Sequence, residues 1–201
     1  MVKYITCLML ACGVLFANEG EILSFRAVAP EGAIAKGSLE VYVHPIARHF
    51  LNDVGVLGDW VQLEDGSKWI VAHEARYEAK LWWPNDLVYI TQAPGGGSYG
   101  YWILNETRGV YVRVGLLQKP YTYGAYTKHI EGIDFYADAV FLCDGSLWSM
   151  SPWDHYKLTH WYGNDTAVIG LNSNADNYAY PFILINTSSP YCDWAACGLC
   201  N

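Results

Sequence analysis

The sequence predicts an all-β protein: two tandem small β-barrel modules of about five strands each, preceded by a short β-containing N-terminal segment. Three observations support this fold class. They are a gap-free internal repeat, hairpin signals centred on Asp-Gly, and the lack of a long amphipathic helical pattern. A chain of 201 residues suits one large domain or two small ones, and the repeat favours two.

The internal repeat has an offset of 79 residues. Residues 59–90 and 138–169 share 12 identities in 32 positions without a gap. Two copies are too few for a stacked repeat array, so each copy predicts a small domain with its own core. The predicted boundaries are 51–117 for the first module, 118–129 for the linker and 130–201 for the second module.

Residues 1–17 predict a signal peptide. Lys3 supplies the positive start, and a short apolar run leads to a cleavage site after Ala17. Alternatively, Leu10-Ala11-Cys12-Gly13 resembles a bacterial lipoprotein box, which would place a lipid anchor on Cys12. Both alternatives predict an exported protein, periplasmic or secreted, or tethered to the outer membrane. No segment is long enough to predict a transmembrane helix.

The charge balance limits the partners. The formal net charge is −8, and removal of Lys3 with the signal would make it −9. An acidic surface argues against nucleic acid and against anionic membranes as electrostatic partners.

Two predicted strands, Ile22–Val28 and Leu39–Val43, lie in the N-terminal extension of residues 18–50 and are expected to pack on the first module. The first element of each module is a hairpin, Val61–Val71 and its counterpart Val140–Met150. Its central Asp-Gly predicts a type I′ turn, in which both central residues have positive φ.

The connection after each hairpin differs between copies. Glu74–Ala79 predicts a short helical turn, whereas Ser151–Asp154, which contains a proline, predicts a loop. A Trp-x-x-Asn-Asp turn follows in both copies, at Trp82–Asp86 and Trp161–Asp165. The remaining predicted strands are Leu87–Ile90, Tyr101–Leu104 and Val110–Leu117 in the first copy, and Thr166–Ile169 and Phe182–Ile185 in the second.

The repeated motif is Asp65-Gly66-Ser67-x-Trp69 followed by Trp82-x-x-x-Asp86-x-Val88-x-Ile90. It resembles repeats in uncharacterised exported bacterial proteins, and the strand pattern resembles SH3-like or OB-like small barrels. The resemblance covers about residues 59–105 and 138–186, and the second copy departs from it at Thr166-Ala167. It implies a fold and no activity.

The predicted mature chain contains four cysteines: Cys143, Cys192, Cys197 and Cys200. An even number in an exported protein predicts disulfides. We expect one bridge from Cys143 to the tail, with Cys192 as the favoured partner, and a local bridge between Cys197 and Cys200. The tail also has metal-ligand spacing, which leaves zinc or an iron–sulfur cluster as an alternative. Export in an unfolded state argues against a cluster, so no metal or cofactor is predicted.

The candidate acid–base groups are the carboxylates that both copies share, Asp65 with Asp144 and Asp86 with Asp165. A pair of carboxylates could do acid–base work. An aspartate before glycine, or at a turn, more often bonds its own backbone. The sequence therefore favours a structural role for all four.

The other candidate catalytic or metal-binding groups have weaker support. Ser67 and Ser146 have no motif-linked histidine to activate a hydroxyl. His155 and His160 lack the spacing that aligns metal ligands on a helix. No catalytic residue is therefore predicted.

Aromatic residues are the predicted binding groups, because flat rings combine apolar area with a polar tip. The six candidates are Tyr77, Trp82, Trp83, Tyr156, Trp161 and Tyr162. The same rings could instead cap the core of a small barrel. The sequence favours a non-enzymatic binding protein of the bacterial cell envelope that recognises a peptide, a glycan or an envelope protein. An envelope hydrolase and a purely structural disulfide-stapled protein are the alternatives.

Overall fold

The computed structural model describes residues 23–28, 38–121, 124–174, 179–190 and 192–200. It confirms the all-β class, because the described chain forms one fourteen-stranded sheet with only two short α-helices. The predicted signal peptide and Cys12 lie outside the described residues. No described helix has the length and apolar character needed to cross a membrane.

The first copy of the repeat contributes six strands. They pair antiparallel in the order β3-β4-β5-β8-β7-β6, and β6 returns to β3. The strands are β3 (His49–Val54), β4 (Trp60–Leu63), β5 (Lys68–Val71), β6 (Leu87–Gln92), β7 (Tyr101–Asn105) and β8 (Val110–Gln118).

The six strands of the second copy close into a barrel with the equivalent pairing, in the order β9-β10-β11-β14-β13-β12 and back to β9. Each copy has six strands and not about five, because the sequence did not predict the first strand of either copy, β3 and β9. The tail supplies the closing strand of the second copy. The strands are β9 (Thr127–Asp134), β10 (Ala139–Leu142), β11 (Leu147–Met150), β12 (Thr166–Leu171), β13 (Phe182–Asn186) and β14 (Trp194–Cys200).

The two copies meet along a seam between β6 and β12, where Leu171 pairs with Thr91 in parallel orientation. Both strands are buried along almost their whole length, as expected for strands covered on both faces. Each hydrophobic cluster draws side chains from both copies: Tyr89 and Leu104 join the cluster of the second copy, and Ile183 joins that of the first. Two tandem barrels with separate cores are therefore not confirmed.

Close packing at the seam requires a glycine. A Cβ on Gly170 of β12 would lie 2.7 Å from the carbonyl oxygen of Ile90 in β6. A larger side chain at this position would push the two copies apart, so Gly170 marks a close approach of two backbones.

The N-terminal extension forms a hairpin of β1 (Leu23–Val28) and β2 (Ser38–Val43), which confirms both predicted strands. Val28 of β1 pairs in parallel with Val110 of β8, so the extension adds to the sheet of the first copy as expected.

The Asp-Gly hairpin turns differ from the predicted type. Gly66 and Gly145 have φ of 82°, but neither preceding aspartate has positive φ. The Gly66 amide donates to the Leu63 carbonyl, and the Leu63 amide donates to the Ser67 carbonyl. This is a type I turn followed by a left-handed glycine, the usual three-residue hairpin loop.

Both copies then form a helical turn. Residues His73–Ala75 and Pro152–Asp154 are 3₁₀-helical, and they lead into α1 (Arg76–Ala79) and α2 (His155–Leu158). The loop expected at Ser151–Asp154 was wrong, because proline is well tolerated in the first turn of a helix, where its missing N–H is not needed.

Candidate functional site

Four of the six predicted aromatic residues are exposed. The exposed fractions are 78% for Tyr77, 67% for Trp83, 64% for Tyr156 and 67% for Tyr162. They lie on α1 and α2 and on the turns that follow, at equivalent positions of the two copies. These rings are available to a ligand.

The other two predicted aromatic residues, Trp82 and Trp161, are buried in the hydrophobic clusters. Their rings offer no open face for stacking, so the sequence expectation is corrected for both. The Trp161 indole N–H donates to Asp193 Oδ2 at 3.3 Å, whereas the Trp82 indole N–H has no hydrogen-bond partner among the described residues.

The shared Asp-Gly-Ser-x-Trp motif is a hydrogen-bond network that holds the hairpin. Asp65 Oδ1 accepts from the Ser67 amide at 2.8 Å, and Ser67 Oγ accepts from the Trp69 indole at 2.9 Å. Asp144 and Ser146 make the same two kinds of bond in the second copy. These groups are occupied by turn chemistry, which agrees with the structural interpretation of the shared aspartates.

The second shared aspartate of the first copy has a similar structural role. Asp86 Oδ2 accepts from the Trp83 amide and from the Asn105 side chain, at 3.1 and 2.8 Å. Burial opposes the ionised form of Asp86, but hydrogen bonds from Arg108 and Asn105 outweigh it and hold the pKa of the carboxyl below its usual value.

Asp165 repeats this arrangement in the second copy. Its Oδ2 accepts from the Tyr162 amide at 2.9 Å and from the Asn186 side chain at 2.8 Å. Both carboxylates therefore connect the turn before a strand to the neighbouring strand.

The four cysteines of the described residues carry free thiols. Cys143 and Cys200 are exposed, and Cys197 is buried. The predicted disulfides are absent from the structure, and the pairing stays a prediction. The described residues contain no group of three or more His, Cys, Asp or Glu side chains placed to hold a metal ion.

A cavity of about 660 Å³ opens at the seam between the copies, and we call it the seam pocket. Its size falls in the range of small-ligand sites. One wall is the loop between β6 and β7, from Gln92 to Gly97, and another comes from Ser173 and Asn174 of the second copy. The start of β7, the residues that lead into β14 and Lys157 of α2 complete the lining.

The glycine-rich wall is held by Arg113 of β8. Its guanidinium donates to the carbonyl oxygens of Tyr99, Pro94 and Gly96, at 2.8, 3.2 and 3.4 Å. All three glycines of Gly95–Gly97 have positive φ, a backbone that other residues rarely adopt. The three consecutive glycines therefore form a part of the wall without side chains, which leaves space for a ligand.

Polar contacts join the two walls. Ser173 Oγ donates to the Gln92 carbonyl at 3.3 Å, and the Gln92 side-chain amide lies 2.6 Å from Asn172 Oδ1. The side-chain amide of Asn172 donates in turn to the Tyr180 carbonyl at 2.8 Å. Of these residues, Gln92 and Ser173 line the pocket, and their planar amide and hydroxyl can also bond a polar ligand.

Another part of the lining contains a cation packed against an aromatic ring. Lys157 of α2 places Nζ 4.0 Å from the centre of the Trp194 ring and 2.6 Å from Asp154 Oδ1. Asp154 is anchored because its other oxygen accepts from the Ala196 amide at 2.8 Å. Trp102 adds a second, partly exposed ring.

Two neutral groups also line the seam pocket. The Tyr101 hydroxyl donates to the Cys192 carbonyl. Burial raises the pKa of the Cys192 thiol to about 12 and that of Tyr101 well above its usual value, so both stay protonated at neutral pH. Cys192 is therefore a poor nucleophile here.

The sequence favours the differences between the copies, or the seam between them, as the place of a specialised site, but it predicts none of the residues that line the seam pocket as binding groups. Two of its lining residues, Lys157 and Asn174, differ from the residues at the matching offset in the first copy, which are Glu78 and Gly95. Such differences between the copies, together with the glycine run, are the signal that marks the pocket.

Comparisons with protein-family models, with curated protein sequences and with solved structures found no match to this chain.

Proposed function

We propose that this is an exported, non-enzymatic binding protein of the bacterial cell envelope, and that its ligand is a short glycan held in the seam pocket. The observation that carries the proposal is the lining of the pocket. Partly exposed rings of Trp102 and Trp194 lie beside the planar amides of Gln92 and Asn174 and the hydroxyl of Ser173.

Sugars present apolar C–H faces and a fringe of hydroxyl groups. An indole ring can stack on the apolar face of a sugar, and amide groups can both donate hydrogen bonds to its hydroxyl groups and accept them. The shared aspartates are engaged in turns, as described above, so they do not support a hydrolase.

The test is a titration of cell-envelope oligosaccharides, with tryptophan fluorescence as the readout. Trp194→Ala is expected to weaken binding by about tenfold or more, since a lost stacking contact costs about 1.4 kcal/mol. Asn174→Ala, at an exposed position, is expected to weaken binding without loss of folding.

The matched control is Trp153→Ala, which removes a ring that is 87% exposed and outside the seam pocket. Unchanged affinity in both pocket variants would remove the proposal. Binding of peptides in place of glycans would contradict the ligand class.

A second candidate site is formed by the exposed aromatic side chains that follow each hairpin, Tyr77 and Trp83 in the first copy and Tyr156 and Tyr162 in the second. Their equal placement in both copies favours a bivalent surface, in which two weak contacts gain effective concentration. Trp83→Ala and Tyr162→Ala would each reduce binding to an envelope protein or polymer if this surface is used. An interaction that survives both changes excludes it.

A further inference from the structure

Asp193 has one carboxylate oxygen without a partner. Its Oδ2 accepts from the Trp161 indole at 3.3 Å, whereas Oδ1 is buried and has no hydrogen bond among the described residues. Asp193 also lines the seam pocket. A buried acceptor left unpaired is costly, so the fold leaves this carboxylate incompletely bonded, while the partly exposed residue can still meet a ligand in the pocket.

No described cation neutralises this carboxylate. The ion pairs of the described residues do not include Asp193, and Lys157, which also lines the pocket, is paired with Asp154. The neighbouring hydroxyl does not help, because Tyr101 already donates to the Cys192 carbonyl. The negative charge of Asp193 is therefore free to meet a positive group of a ligand.

The surroundings suit a cation. Trp194 and Trp102 line the same pocket, and a cation close to an indole face is attracted by its ring. Lys157 already makes such a contact with Trp194 at 4.0 Å. The chain is acidic, with a formal net charge of −8, which favours the approach of positive ligands.

The carboxylate belongs to the second copy alone. The carbonyl oxygen of Asp193 accepts from the amide of Asn186 at the end of β13. In the first copy, Asn105 is equivalent to Asn186 and pairs with Val110. Val110 therefore occupies the position of Asp193 in the first copy. Val110 packs against the hydrophobic cluster of its own copy. Asp193 is thus not part of the shared hydrogen-bond networks that hold the fold.

We propose that the seam pocket selects a glycan that carries a free amino group, whose ammonium pairs with the carboxylate of Asp193. This inference rests on the proposed glycan-binding function and narrows it to amino sugars. Such a charge-assisted hydrogen bond is stronger than one between neutral groups.

The test compares three matched probes by calorimetric titration: a β-1,4-linked glucosamine tetramer, its fully N-acetylated form and the corresponding glucose tetramer. The wild-type protein is expected to bind the amino form at least about tenfold more tightly than the other two. Asp193→Asn keeps the shape and an acceptor for Trp161, and it is expected to abolish this preference.

Glu74→Gln is the control, because it removes an exposed carboxylate outside the pocket, and it should keep the preference. Circular dichroism and a melting curve check that Asp193→Asn is folded. A tetra-alanine peptide, with a free or an acetylated amino terminus, separates an amino sugar from a peptide amine.

Equal affinity for the amino and N-acetylated forms, or an unchanged preference in Asp193→Asn, would overturn the inference. If neutral glycans bind and Trp194→Ala weakens their binding, the glycan-binding function is supported and the selectivity for amino sugars is wrong. If only the free peptide amine binds, the glycan class is wrong, and if no probe binds, both proposals fall.

Discussion

Asp65 and Asp144 occupy equivalent positions, yet only Asp65 is buried. Asp65 holds its own turn and also accepts from Thr127 Oγ1 of the second copy at 2.6 Å. Asp144 holds its turn on the surface and lies 3.4 Å from Lys128. The same residue in the same motif therefore has a bridging role in the first copy and a local role in the second.

Asp65→Ala is expected to lower the free energy of unfolding by about 3 kcal/mol and Asp144→Ala by about 1 kcal/mol, because only the first leaves buried donors unpaired. Urea denaturation measures both values. Equal losses would show that the contact with Thr127 adds nothing.

His49 is a second bridging residue. It is fully buried, with Nδ1 2.9 Å from Glu64 Oε1 and Nε2 2.9 Å from the Ile169 carbonyl of the second copy. Burial alone would lower the pKa of His49, but the charge and hydrogen bond of Glu64 outweigh it, so the pKa is raised. Burial alone would raise the pKa of Glu64, but the charge and hydrogen bond of His49 outweigh it, so the pKa of Glu64 is lowered.

These shifts give a signed pH dependence. The contribution of His49 to the free energy of unfolding is full below pH 6.5, and it is lost as pH rises through the raised pKa. The contribution of Glu64 is full above pH 4.5, and it is lost as pH falls through the lowered pKa. The pair is expected to stabilise most between these two pH values. The free energy of unfolding against pH, compared with a His49→Gln/Glu64→Gln double variant, measures this, and a flat difference would contradict it.

The close packing of the seam strands β6 and β12 depends on a single glycine. Gly170 of β12 faces the Ile90 carbonyl, whereas Gly132 of β9 has only the Phe141 ring, 4.0 Å from an added Cβ. Gly170→Ala is expected to cost about 2 kcal/mol, because the seam must open, and Gly132→Ala is expected to cost at most about 1 kcal/mol.

Thermal unfolding of the two variants compares the strands directly. A Gly170→Ala protein as stable as Gly132→Ala would mean that β6 and β12 do not approach as closely as described.

Elements whose signal is local could be predicted from the sequence. The hairpins β4–β5 and β10–β11 follow from alternation around Asp-Gly, and both strands of the N-terminal hairpin follow from short apolar runs. The turn type was wrong because Asp-Gly suits two loop geometries, and only hydrogen bonding across the strands selects one.

The candidate site could be predicted only in part. The exposure of Trp83 agrees with its predicted binding role, but the sequence does not show that its neighbour Trp82 is buried. The seam pocket depends on contacts between residues far apart in the chain. The approach of Gln92 to Ser173 spans 81 positions, and no periodic pattern reports it.

At the scale of the whole molecule, the copies share their cores. Tyr89 packs in the cluster of the second copy, and Ile183 packs in that of the first. Separation would expose these side chains, so neither copy buries a complete core by itself.

The chain is therefore expected to unfold in one cooperative transition. Calorimetry should give a ratio of calorimetric to van't Hoff enthalpy of about 1. Two resolved transitions, one for each copy, would restore the arrangement of independent modules.

We place the proposed ligand site at the seam and not on the repeated motifs. Amide chemical-shift mapping of the labelled protein, during titration with the glucosamine tetramer, locates the site. The shifted amides are expected to cluster at Gly95–Gly97, Ser173 and Trp194. Shifts confined to the turns around Trp83 and Tyr162, with the seam unchanged, would contradict it.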